Sequence, residues 1–290
     1  MSKTIDAFDE IVEAMGRDAA DPMVIKPPPP VAPVPKVLRV KMWKPEKNES
    51  IAWMCREYLK KNNHGCEYTV QMGDIKERSH KYIHISELYK CERLIASKML
   101  GLIEPEKISP ELKSIFDNGH GVHGRLTTLM DKAGLLVARN VDNKIAEWGC
   151  GGEADAIVRV GSERRPMELK SINEDGFNKL GSEFDEIMQN GITHFDNLLA
   201  CYVLQVQGYL KGLGLMRGHL WFENKNRQSW RELCVERSDD AIAYIEAKCG
   251  KIMRAVRGGV LPDGPCVAAY DSRAVKCAFG NKCFLEKGAA

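Results

Sequence analysis

Asp155, Glu168 and Lys170 are the residues whose types and spacing could do chemistry. The segment GGEADAIVRVGSERRPMELKSIN places Asp155 in a strand-like run after a glycine pair and puts Glu168-Leu169-Lys170 in the next such run. The separation suits two adjacent antiparallel strands and their turn. Alternate residues of a strand face one way, so Glu168 and Lys170 share a side on which Asp155 of the paired strand can meet them. Two carboxylates and an ammonium at one point suit phosphodiester hydrolysis. Oxygen ligands hold Mg²⁺ or Mn²⁺, which lowers the pKa of bound water and neutralises charge on the phosphate. A neighbouring lysine positions or deprotonates the water and stabilises the developing charge. A Glu-x-Lys step is also a common strand surface, so the surrounding motifs decide.

GEADAI followed by MELKSI resembles the second and third motifs of RecB-like nucleases in the PD-(D/E)xK superfamily. Upstream, GHGVHGRL resembles that family's G-x-x-x-H helix motif, with Gly119 and His123 in register, and downstream Gln205-Val206-Gln207-Gly208-Tyr209 matches Q-x-x-x-Y. The four motifs stand in the family's order. The resemblance implies that His123, Asp155 and Glu168, with the backbone carbonyl of Leu169, hold the metal, and that Lys170 assists the water. Imidazole beside carboxylates suits Mn²⁺ better than an all-oxygen shell does. His120, one turn earlier, is the rival to His123. Gln205 and Tyr209 are four apart and share a helix face, where they contact DNA, orient the lysine or simply pack. Arg125, Arg164 and Arg165 are candidate phosphate contacts, or a solvated face.

The chain carries ten cysteines and no leading basic-then-apolar segment of the kind that directs secretion, which argues against a disulfide framework. Cys266, Cys277 and Cys283 lie in a polar, Gly-rich run after the last predicted helix, where a metal would give the tail a reason to be ordered; Cys91 is the best fourth thiolate. This arrangement resembles the iron–sulfur subset of the family, AddB-type and CRISPR-associated RecB-like exonucleases. In that subset one cysteine precedes the nuclease core and three follow it, holding a [4Fe–4S] cluster. The gap from Cys277 to Cys283 fits that subset, whereas the gap from Cys266 to Cys277 is wider than its pattern. A Zn²⁺ site is the alternative, since both centres accept four thiolates. Cys55, Cys66, Cys150, Cys201, Cys234 and Cys249 are assigned to packing.

These residues need elements to position them. Ser86 is read as the N-cap of a helix over SELYKCERLIASKML, and Ser109-Pro110-Glu111 as the start of a helix running through LKSIFDNGHGVHGRLTTLMDKAG. Four short strands follow, LLVARNV, KIAEWGC, EADAIVRV and RPMELKSI, punctuated by Asp142-Asn143, Gly151-Gly152 and Gly161-Ser162. Then come a helix over NLLACYVLQVQGYLKGLG, strands GHLWFEN and SWRELCVE, and a helix from Asp239-Asp240 ended by Gly258-Gly259 and Pro262. This order predicts an α/β (α+β) domain of the PD-(D/E)xK, restriction-endonuclease-like kind, its central mixed sheet flanked by helices. That nuclease domain is expected over 82–290. Residues 1–36 read as an amphipathic segment on the Pro-rich tether KPPPPVAPVPK, either a flexible tail or a docking peptide for a protein partner. Residues 37–81 read as an accessory segment in which Ile51, Met54, Cys55 and Leu59 have helical spacing.

With 44% hydrophobic residues and a net charge of +2, the chain can bury a core and is not a polybasic binder, so DNA contacts must be local. It has no apolar run long enough to span a membrane and no G-x-x-x-x-G-K-[ST] loop of an ATP-driven motor. The reading is a divalent-metal-dependent deoxyribonuclease, an exonuclease of recombination, repair or DNA degradation in a bacterial or phage-infected cytoplasm. The rival readings are a catalytically silent DNA-end-binding scaffold and a nuclease subunit docked through its Pro-rich arm to a helicase or replication partner.

Overall fold

β-Branched and aromatic runs between positions 136 and 236 supply five strands of the mixed sheet, which has seven strands among the described residues. The computed structural model describes residues 35–62, 81–103, 109–266, 272–275, 277 and 283. The expected N-terminal arm, up to position 34, and Cys66 lie outside them. The strands are β1 (Met42–Trp43), β2 (Ile83–His84), β3 (Leu136–Ile145), β4 (Cys150–Val160), β5 (Glu163–Ile172), β6 (Arg217–Asn224) and β7 (Trp230–Glu236). Their order is β1-β7-β6-β5-β4-β2, with β3 also pairing β4. Pairing is antiparallel except for β5 with β6 and β2 with β4.

The helices are α1 (Ile51–Lys61), α2 (Glu92–Met99), α3 (Pro110–Lys132), α4 (Glu174–Asn190), α5 (Leu198–Gly212), α6 (Asp239–Gly258) and the short α7 (Ser272–Val275). Helices α1 and α3 cover one face of the sheet, where Ile51, Cys55, Leu126, Leu129 and Met130 pack on Val158, Met167, Leu169 and Trp221. Helices α2, α4, α5 and α6 cover the other, joining Ile95, Phe177, Leu180, Leu204, Val206 and Ile245 to Leu220 and Phe222. The mixed sheet flanked by helices is as the sequence predicts.

Residues 35–62 are built into this sheet. β1 pairs β7, and α1 is held at its N-terminus by the buried Glu232. That carboxylate accepts hydrogen bonds from Ser50 Oγ at 2.7 Å and from the N–H groups of Ile51 at 3.1 Å and Ala52 at 2.9 Å. These are donors that an α-helix cannot satisfy internally.

Several boundaries differ from the sequence expectation. Asp142-Asn143 is no turn: β3 runs through it, because Asn143 is buried and its amide donates to the Gly208 carbonyl. Gly151-Gly152 lies inside β4, where a side chain on Gly152 would meet Ile85. Four expected strands are therefore three. Ser86 is not the N-cap of α2, since it sits in a 3₁₀ turn, Ile85–Glu87, and the helix begins only after Cys91. Helix α4 was not expected. Its signal was present, an Asn173 cap on Gly176, acidic Glu174 and Asp175, and buried Phe177, Leu180 and Ile187 at helical spacing, but Gly176 and Gly181 obscured it. The Ser109-Pro110 start of α3 is as expected, Ser109 accepting from Leu112 N–H. Among the described residues no helix is long and apolar enough to cross a membrane.

Candidate active site

The site occupies a break in the β-ladder. On one edge of β4, β2 pairs Cys150 and Gly151, while β5 pairs Ala156 through Val160. Between these stretches the strands part. The N–H of Leu169 is taken up by the side chain of Asp155, Oδ2 accepting it at 2.7 Å. Across the same break Tyr209 donates its hydroxyl to the Glu153 carbonyl at 2.9 Å. Side chains thus satisfy polar groups that a continuous ladder would consume.

Four elements aim residues into this break. From α3, His123 Nδ1 lies 3.2 Å from Asp155 Oδ1, while His120 is exposed. From β5, Glu168 and Lys170 point to the α5 face and form an ion pair through Glu168 Oε1. From α5, Gln205 Nε2 donates to that same oxygen at 2.8 Å and to the Tyr209 hydroxyl at 2.6 Å. Tyr202, on the same helix stripe, lies beneath Lys170, whose Nζ is 4.8 Å from the ring centroid. Tyr202 was not anticipated from sequence, since nothing in its spacing distinguishes it from core. The Leu169 side chain is buried on the opposite face.

Burial governs the electrostatics. Glu168 is only 2% exposed, and its Oε2 has no hydrogen-bond partner among the described residues. Burial, then the charge of Asp155, push its pKa up to about 7 against the pull of Lys170. Burial works against ionisation of Asp155 too, but His123, Lys170 and the Leu169 N–H outweigh it and hold the carboxyl below its usual range. His123 and Lys170 behave alike: desolvation disfavours their charge, yet the facing carboxylates win and raise both pKa values.

Among the described residues no three His, Cys, Asp or Glu side chains already converge to hold a metal. The donor types of His123, Asp155 and Glu168 nevertheless fit a hard divalent cation. They are an imidazole and two carboxylates, one of which carries a buried oxygen without a partner, a costly state unless a cation or donor satisfies it. Cys91, Cys266, Cys277 and Cys283 likewise give no group of three that could hold a metal. Cys91 precedes the first turn of α2. Cys283 Sγ comes to within 3.9 Å of the point where a side chain on Gly264 would begin, and Arg93 lies against that same point. Of the cysteines assigned to packing, Cys55, Cys150, Cys234 and Cys249 are buried and Cys201 is partly so. Arg165 is not a phosphate contact: it is 3% exposed and is held by Glu49, Glu163 and His219. Arg125 is bound to the buried Glu223 through one terminal nitrogen, and Arg164 is exposed.

No protein-family model matches the sequence, and no curated protein matches it. Among solved structures the chain is similar to an alkaline exonuclease (LHK-Exo) from Laribacter hongkongensis at 13% identity and TM-score 0.43, covering 61% of this chain and 89% of that one. It is similar to LHK-Exo in complex with dAMP at 15% identity and TM-score 0.44, with 61% of this chain and 89% of that one covered. SSO0001 is similar at 15% identity and TM-score 0.42, covering 80% of this chain and 94% of that one. At such identities the function has to be read from the side chains.

Proposed function

We propose that this chain is a divalent-metal-dependent deoxyribonuclease, an exonuclease acting in DNA recombination, repair or degradation. The observation that carries the reading is Glu168: a buried carboxylate with one oxygen shared by Lys170 and Gln205 and the other unpartnered, at a break in the sheet that Asp155 and His123 also face. A structural carboxylate would be fully satisfied there, because burying charge without partners is expensive.

His123, Asp155, Glu168 and the Leu169 carbonyl would hold Mg²⁺ or Mn²⁺. The bound cation supplies an acidified water and neutralises charge on the scissile phosphate. The chain's own groups do the rest. Lys170, protonated and propped over Tyr202, holds the attacking water or the phosphate oxygen and offsets charge as the bond breaks. Gln205 fixes the Glu168 carboxylate, and Tyr209 backs Gln205 while tying α5 to β4.

The test is degradation of end-labelled linear DNA with Mg²⁺ or Mn²⁺, comparing wild type with Lys170→Ala. Metal-dependent loss of label that vanishes in the variant supports the reading. DNA binding without cleavage under either metal would replace it with the scaffold role. No step here passes through an iron–sulfur or zinc centre.

A further inference from the structure

A second aromatic residue lies beside the candidate lysine. Tyr89 is 38% exposed, yet it follows Leu88, which is fully buried, so an outward-facing ring stands on an anchored backbone. The anchor is α5. Ile85 and Leu88 press against Gly208, where a side-chain carbon would lie 2.8 Å from Ile85 Cγ2 and 3.4 Å from Leu88 Cδ1; only glycine lets the turn come so close. Tyr89 is thereby fixed relative to the helix that carries Tyr202, Gln205 and Tyr209.

The ring stands near the reacting groups. The turn before Tyr89 packs on β4 at the edge of the break, where a side chain on Gly152 would lie 3.2 Å from Ile85 Cβ; the charge of Lys170 reaches the phenols of both Tyr89 and Tyr202, and Tyr89 in turn acts on Tyr202. Lys90 Nζ lies 6.0 Å from the Tyr89 ring centroid. Lys90 and Lys98 share one carboxylate, Glu87, each at 2.8 Å, so this trio carries a net positive charge. Among the described residues neither phenol oxygen has a hydrogen-bond partner. A lone exposed aromatic side chain is ordinary. One anchored beside a phosphate-handling lysine and edged by surplus positive charge has the composition of a single-strand platform, in which bases stack on rings and cations follow the backbone.

We propose that Tyr89 is a stacking platform for an unpaired base at a DNA end, so that the site takes single-stranded or frayed termini. The proposal rests on the nuclease reading and names the substrate that the site accepts. A blunt duplex offers Tyr89 only the outer face of its terminal pair and brings two strands to be accommodated, whereas an unpaired base brings a single backbone to the lysines.

The test uses the full chain in EDTA, titrated into short single strands bearing 2-aminopurine at the 5′ end, at the 3′ end or internally, and into the matching blunt duplexes. Wild type should quench a terminal 2-aminopurine in the single strand. Tyr89→Ala should abolish that quenching and raise Kd about tenfold, while Tyr89→Phe retains both, with circular dichroism confirming the fold of each variant. Equal quenching by Tyr89→Ala and wild type, or equally tight binding of blunt duplex, overturns the proposal. Because no divalent metal is present, the titration judges stacking apart from cleavage. A chain that cuts no DNA would lose the catalytic reading and still be decided here.

Discussion

The Asp155 carboxylate accepts the backbone N–H of Leu169 at 2.7 Å, side chain standing in for main chain where β4 and β5 separate. One oxygen of Asp155 thereby keeps the break open, and the other faces His123. Asn can accept the same N–H while lacking the charge. Saturating Mn²⁺ should therefore raise the melting temperature of wild type by several degrees, since a ligand at about 100 times its Kd adds about 2.7 kcal/mol. Asp155→Asn should fold and show no such rise. A rise of equal size in the variant would remove Asp155 from the metal set.

Gln205 should matter to rate more than to folding. Its amide donates to both Glu168 and Tyr209, so Gln205→Ala releases the carboxylate without removing it. Cleavage should drop about 10- to 100-fold, as for other residues that orient a metal ligand. Single-turnover rates measured at saturating metal check this, and an unchanged rate would make Gln205 a packing residue.

Acid stability should depend on Glu87. Burial alone would raise its pKa, but hydrogen bonds from Lys90 and Lys98 prevail and pull it from 4.5 to about 2. The folded state therefore binds this proton less readily than the unfolded chain does. The stabilisation is full above about pH 4.5 and is lost as pH falls towards about 2, with an upper bound of about 3 kcal/mol. Urea titrations at pH 7 and pH 3 should show Glu87→Gln less stable than wild type at the higher pH, with the difference narrowing at the lower. A gap independent of pH would assign the loss to packing.

Two helix glycines should respond in opposite directions. A methyl group at Gly121 in α3 meets nothing within 4 Å, so Gly121→Ala should stabilise by about 0.5–1 kcal/mol through helix propensity. At Gly208 the methyl group runs into Ile85, and Gly208→Ala should destabilise by about 1–3 kcal/mol. Chemical denaturation of the two variants separates these signs.

Where sequence order equals spatial neighbourhood, the chain could be read directly. Glu168 and Lys170 sit two apart on one strand, Gln205 and Tyr209 four apart on one helix, and Ser109-Pro110 opens α3 as a local cap. Contacts between distant segments left no such trace. The carboxylate of Glu232 ends the unpaired donors of α1 from a strand far along the chain. Asn143 reads as a turn residue and is instead buried in β3 because α5 offers it a carbonyl. Arg165 reads as a surface cation and is buried because Glu49, Glu163 and His219 converge on it. Tyr89 gains its place only from the seat of the Ile85–Leu88 turn on Gly208, and Tyr202 only from Lys170 of β5 lying over its ring.

Helix α5 is buried from Leu199 to Leu210 save for Cys201 and Tyr202. The residues it turns towards the candidate site are therefore also core, and few substitutions there can be tried without disturbing the sheet. The rim is under no such restraint: Tyr89 is partly open, and the early turns of α3 stand clear, with Ile115 57% and Phe116 40% exposed. On the proposed reading, changes at the rim should alter which DNA ends are accepted while leaving the floor alone. A library confined to positions 89, 90 and 112–120 should then yield far more folded, altered-specificity variants than one of equal size aimed at α5.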